Sequence, residues 1–146
     1  MADDVIKIDI NTKPIEEALA KLTRPSAPLM EEIAGILVES ADQAFEDEKD
    51  PVTGQPWVPL SEVYAAMKAA KGYSDKILQR GGLLALIQSD SNETEAIAGS
   101  PEAYAAAHNL GYEEGGIPQR RFLGIDKIAE EEILDAINAH LSKAFE

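Results

Sequence analysis

The chain of 146 residues has no cysteine, few aromatic side chains (5%) and only 13 Lys and Arg against 27 Asp and Glu. Without cysteine there is no disulfide scaffold, no thiol nucleophile and no thiolate zinc site, and folding in a reducing compartment is expected. The deficit of bases, a net charge of −14, argues against a protein that grips nucleic-acid phosphates, because that affinity comes from Lys and Arg displacing counterions. No apolar run approaches the ~20 residues of a membrane-spanning helix, and the opening residues lack the positive start and apolar centre of a signal peptide. A soluble product made in the cytosol is expected, one domain over residues 1–146 with 1–4 a loose N-terminus. At this length roughly 70% of the unfolded surface can be buried, enough for a core without staples.

The motifs of common chemistries are missing too. Gly81-Gly82 and Gly115-Gly116 lack the following Gly or Lys-Ser/Thr that lets backbone amides cradle a phosphate, and they read as a helix stop and a loop tip. No His-Glu-x-x-His occurs, and Asp47-Glu48-Lys49-Asp50-Pro51 puts a lysine and a proline where a calcium loop needs other residues. His108 and His140 are the only histidines. His108, beside Asn109 and four residues from Tyr104, has the chemistry for proton transfer, but nothing in the sequence positions a nucleophile or a third group. A structural or interface role for His108 therefore outweighs catalysis, and no catalytic, cofactor or metal residue is assigned. The adjacent Arg120 and Arg121 have the chemistry to hold a phosphate or carboxylate; in so acidic a chain, pairing with acidic neighbours is the expectation.

What is present is periodic. Val5 to Ile10 alternates as a strand, with Ile6, Ile8 and Ile10 on one face. Ile15 to Leu22 reads as a short helix ended by Arg24-Pro25. Ser26 caps the next helix, whose stripe of Leu29, Ile33, Ile36, Leu37, Ala41, Ala44 and Phe45 is core. That helix is expected to stop near Phe45, because Glu46-Asp47-Glu48 opposes its dipole. Three prolines around Trp57 make residues 50–59 an irregular loop. A helix over residues 61–72 follows, then a turn or two over 75–80, and a hairpin of residues 83–87 and 93–98 around Asp90-Ser91-Asn92. A helix from Pro101 to Gly111, a short strand at Arg121-Phe122-Leu123 and a final helix capped by Asp126 complete the chain. Ile128, Ile133, Leu134, Ile137 and Leu141 form the last helix's buried side. The fold class is α+β, a small, mostly antiparallel sheet of about four strands packed with several helices.

Four segments in order resemble the phage virion morphogenesis family, the tail-completion proteins of Mu-like and related contractile-tailed phages. They are Phe45 with residues 50–61, carrying Asp-Pro, Gly, Trp and Leu-Ser; residues 76–83, with Leu, Gly and Leu; residues 104–111, with Tyr-Ala, His and Gly; and residues 117–124, with Ile-Pro, Arg and Phe-Leu-Gly. The resemblance spans roughly residues 30–142. Arg121 stands where the family commonly shows proline, and the loop before Ile117 is short. The resemblance implies a non-enzymatic structural protein of a phage or prophage virion that acts in tail completion or head–tail joining. It implies head, neck and tail proteins as partners, a homo-oligomeric ring, no cofactor, and residence in the host bacterial cytoplasm before the virion. Trp57, Tyr104, His108, Arg120, Arg121 and Phe122 are the candidate interface or structural residues, and Phe122 is also a core residue. DNA is expected to pass without being bound by sequence. Two other readings stand beside this one: a hydrolase or metal-binding protein built on His108 and clustered carboxylates, and an acidic mimic of DNA. The mimic ranks last, because residues 51–110 carry 6 acids against 4 bases and offer no long acidic face.

Overall fold

Helix α2 (Ala27–Asp47) is the axis of the molecule. In this computed structural model, which describes residues 13–20, 26–73, 77–78 and 87–144, it touches both strands of the sheet and the last helix. Ser26 starts it as the sequence indicates, its hydroxyl accepting the Leu29 N–H at 3.2 Å in an extended N-cap conformation. The end lies further on than the acidic run suggests. The helix continues to Asp47 and stops where Glu48 turns left-handed at φ 54°, its N–H donating to the Ala44 carbonyl. Tertiary bonds offset the adverse dipole there: Glu48 accepts the Trp57 N–H on its carbonyl (2.8 Å) and the Ile77 N–H on its carboxylate (3.0 Å).

The two halves of α2 serve two apolar clusters. Leu29, Met30, Ile33 and Ile36 pack with Ile15 and Ala18 of α1 (Lys13–Leu19) and with Ala129, Ile133, Ala136 and Ile137 of α5 (Lys127–Ala144). Ala41, Ala44 and Phe45 pack with Trp57, Ile77, Ala105, Phe122 and Leu123. Asp126 caps α5 by accepting the Ala129 N–H at 2.7 Å. Ser40, 3% exposed, ties the two regions by donating to the Gly124 carbonyl and accepting the Asp126 N–H.

One expectation is met in part and four are corrected. The sheet among the described residues has two strands, β1 (Gln88–Ser91) and β2 (Ala96–Gly99), antiparallel with Gln88 opposite Gly99 and Ser91 opposite Ala96. The strand expected over 5–10 and residues 83–86 of the hairpin lie outside the described residues. Asp90 and Ser91 belong to β1, and the turn falls at 92–95, because the Asn92 side chain accepts the N–H groups of Thr94 and Glu95 at 2.8 Å each. The helix expected from Pro101 begins only at Ala105, as α4 (Ala105–Leu110): buried Ser100 accepts the Glu102 N–H and holds a local turn in its place. Arg121-Phe122-Leu123 is not a strand, for the reason given below. Finally, Ile128 is 65% exposed. The buried stripe of α5 runs through Ala129, Ile133, Ala136 and Ile137, and Ile128 lies about 100° around the helix from Ala129. Helix α3 (Glu62–Ala70) starts at Ser61, whose hydroxyl accepts the Tyr64 N–H.

Ile133→Ala is expected to cost about 2–5 kcal/mol in urea unfolding, whereas Ile128→Ser stays within about 0.5 kcal/mol of the wild type. Equal losses would refute the assigned face of α5.

Candidate functional site

Residues 119–124 form no helix and pair with no strand, so their buried backbone groups must find other partners. Asn109, fully buried on α4, supplies them. Its side-chain oxygen accepts the N–H groups of both Phe122 and Leu123 at 3.0 Å. Two residues before Phe122, the Arg120 N–H donates to the His108 carbonyl at 2.8 Å. Gly111 makes the close approach workable: it sits at φ 82°, and a Cβ there would lie 3.1 Å from the Gln119 nitrogen. These side-chain bonds replace a sheet ladder, which is why the segment has a strand's composition and not its structure.

The strap in turn holds the proline-rich loop. Asp50 closes that loop by accepting the N–H groups of Val52 (2.8 Å) and Thr53 (3.2 Å), and Arg121 Nε lies 3.4 Å from the same carboxylate. Trp57 is 5% exposed; its indole N–H donates to the Arg121 carbonyl at 2.8 Å, and its ring meets Phe45 edge-on at 5.7 Å. Phe122, wholly buried, sits 5.0 Å from Phe45 on the other side. Trp57 is thus committed to its own loop and core. Gly124 lets the loop tip come close: a Cβ there would stand 2.7 Å from a Val52 methyl and 3.1 Å from the Pro51 ring.

Arg120 joins three parts at once. Besides its backbone bond to α4, its guanidinium donates to the carbonyls of Val58 (2.8 Å) and Pro59 (3.2 Å). Burial lowers its pKa, while Glu48 and Tyr64 act in the opposite sense. The two arginines expected to pair with acids therefore divide, Arg121 to Asp50 and Arg120 mainly to carbonyls.

Above Arg120 opens a cleft of about 1010 Å³ between α3, residues 58–61, α4 and residues 116–118. Lys68 of α3, 2% exposed, lines it, with its ammonium 6.0 Å from the Tyr64 ring centroid. Tyr104 and His108 form its α4 wall, their rings edge to face at 6.0 Å, with Tyr104 45% exposed. His108 Nδ1 is buried without a hydrogen-bond partner. Burial, and after it the positive Arg120, pushes the imidazole below its ordinary 6.5 and keeps it neutral at pH 7. The charge facing His108 is thus a guanidinium, not the carboxylate a hydrolase reading would put there. Among the described residues no group of three or more His, Asp or Glu is placed to hold a metal ion. No helix among them is long and apolar enough to cross a membrane.

The six candidate residues Trp57, Tyr104, His108, Arg120, Arg121 and Phe122 all lie in this region, and sequence reasoning missed two more that help to build it. Asn109 was legible only as a neighbour of His108, although an Asn two residues before a helix-ending glycine is a signal worth weighing. Lys68 was hidden in an alanine-rich helix, where a lone lysine looks like a solvated charge.

Asn109→Ala strands two buried N–H groups and is expected to lower stability by about 2–4 kcal/mol in denaturant titration. A loss under about 0.5 kcal/mol would show that the strap is held otherwise. For His108, the folded pKa lies below the unfolded one, so the unfolded chain takes up the proton first on acidification. The stability linked to this group is whole above 6.5 and is lost as pH falls through the folded value. Between about pH 7.5 and pH 5 the wild type should lose more stability than His108→Gln; parallel pH profiles would exclude this linkage.

Three of the four segments singled out in the sequence meet here: the Trp57 loop, the Tyr104–Gly111 helix and the Ile117–Gly124 strap. Most of the fourth, residues 76–83, lies outside the described residues. Comparison with known proteins covers the same ground. A sequence model described as the phage virion morphogenesis family matches residues 10–142. The chain is 33% identical to the putative capsid assembly protein G of Escherichia phage Mu, over 95% of this chain and 96% of that protein. It is also 33% identical to the Mu-like prophage FluMu G protein 1 of Haemophilus influenzae, over 94% and 96%. The FluMu G protein 2 of the same organism is 34% identical over 91% and 94%. No solved structure matches with significance. With nearly its whole length matched by the family and by these relatives, the chain belongs to the phage virion morphogenesis family.

Proposed function

We propose that this chain is a structural, non-catalytic part of a phage or prophage virion that completes the tail or joins it to the head at the tail's head-proximal end. The observation that carries the reading is the near end-to-end match to a phage Mu protein named as a putative capsid assembly protein. The architecture supports it. Side chains with chemical potential are spent on holding one another: Arg120 on loop carbonyls, Arg121 on Asp50, Trp57 on a backbone oxygen.

In the virion the chain works as a ring of identical copies, in contact with other head, neck and tail proteins. A head-to-tail contact closes into such a ring when its rotation allows. The net charge of −14 suits a part whose lumen DNA crosses, since like charge denies phosphates a foothold. The host cytoplasm is the place of assembly and the tail or neck the final location.

Electron microscopy of a lysate from a phage deleted for this chain provides the test. Separate, full heads and tails, or tails of aberrant length, are the expected result, reversed by supplying the chain in trans. Intact, infectious particles from the deletion would overturn the assignment.

A further inference from the structure

Arg120 bridges two helices that no regular packing joins. Among the described elements, α3 and α4 each approach no other helix or strand. Helix α3 has nine residues, and its one buried side chain is Lys68. A helix this short is marginal in water by itself, so its place depends on what anchors its ends. The anchor ahead of it is the Arg120 guanidinium, which bonds the carbonyls of Val58 and Pro59 just before the Ser61 cap. The Arg120 backbone fixes the other side of the same link, its N–H donating to the His108 carbonyl on α4.

His108 is placed to upset that link. Its ring lies edge to face with Tyr104 at 6.0 Å, which holds it at the cleft wall, and its Nδ1 is buried without a hydrogen-bond partner among the described residues. The surroundings oppose a proton there. Tyr104 on its own helix, Tyr64 and Lys68 on α3, Tyr73 after α3 and Arg120 on the strap share the cleft with it, and no Asp or Glu is among the described residues that line it. Glu48, at the end of α2, acts on Arg120. An imidazolium would therefore face a guanidinium and an ammonium, with a buried N–H that has no acceptor.

We propose that His108 and Arg120 form an acid-sensitive latch: a proton on His108 sets a second positive charge against the guanidinium, loosens its hold on the Val58 and Pro59 carbonyls, and frees the end of the proline-rich loop and α3 while α2 and α5 stay packed. Because burial and Arg120 both hold the imidazole below its ordinary 6.5, the latch is closed at pH 7 and opens as pH falls through the folded value. Opening separates the two charges and brings water to the ring, so the open form binds the proton more tightly than the closed one, and proton uptake and release of α3 drive each other. The device belongs to the chain's own fold and stands whether the chain completes tails or joins them to heads.

The lack of native cysteine provides a clean test with the full-length chain. Spin labels at Val63→Cys on α3 and Ile128→Cys on α5, both exposed, report the position of α3 by double electron–electron resonance, and a pair at Gln43→Cys and Ile128→Cys reports the α2–α5 body. As pH falls from about 7.5 to about 4.5, the α3 pair is expected to gain a second, broader distance population. It should hold about half of the molecules where the His108 ring is half titrated by NMR, with the α2–α5 pair unchanged. In the His108→Gln background the α3 pair should keep one population throughout, and in Arg120→Gln the second population should be present already at about pH 7.5. The coincidence with the ring titration needs neither background, so it decides the matter even where one of these fails to fold. An α3 pair unchanged down to about pH 4.5, the same second population in His108→Gln, or an α2–α5 pair that changes in step with α3 would each overturn the latch.

Discussion

A single buried carboxamide oxygen organises the second half of this molecule. Asn109 accepts two consecutive backbone N–H groups, and with them it fixes where residues 119–124 run. Phe122 then reaches Phe45, the Arg121 carbonyl meets the Trp57 indole, and the Arg120 guanidinium reaches the carbonyls of Val58 and Pro59. A strap of this kind cannot hold itself: it has no ladder partner and no helix of its own, and each buried polar group left unpaired would cost about 1–3 kcal/mol. The irregular Trp57 loop inherits its order from the same source. Its own Asx turn at Asp50 shapes the tip, but the Trp57 and Arg121 bonds decide where the tip goes.

Electrostatics divides the molecule in a way that overall charge hides. Acids crowd both the start of the chain and the last helix, and a uniformly acidic surface would be a poor one for contact with its own copies. The structure instead gathers Lys68 and Arg120 at one recess and leaves the carboxylates of α5 outside. A neutral His108 in the wall spares the recess a third positive charge at physiological pH, because burial and Arg120 both oppose its protonation. An acidic protein can thus gather two buried cations at one recess while its net charge stays at −14.

Much of this was legible in the sequence, for identifiable reasons. The Ser26 and Asp126 caps and the stripe from Leu29 to Phe45 obey local rules that tertiary structure rarely overrides, and all are present. The family signature located the Trp57 loop, α4 and the strap, and these do converge. What escaped depended on partners far along the chain. The extent of α2 past Phe45 follows from bonds that Glu48 makes with Trp57 and Ile77. Reading Arg121 to Leu123 as a strand failed because a side chain, not a neighbouring strand, satisfies its backbone. Ile128 was misassigned for a simpler reason: one residue's offset on a helix turns a face by about 100°, and the apolar pattern alone allowed either phase.

Helix α2 has a mechanical role that its packing does not make obvious. Its 21 residues form a rod of about 31 Å, the first half gripped by α1 and α5 and the second by the Trp57–Phe122 cluster. The α5 surface and the cleft are therefore spaced by a continuous helix rather than by loops. For any partner that touched both regions, the angle between its contacts would be set by this strut. Inserting or deleting even one residue in the middle of α2 would rotate one end relative to the other by about 100° and turn the faces that the two clusters grip away from each other.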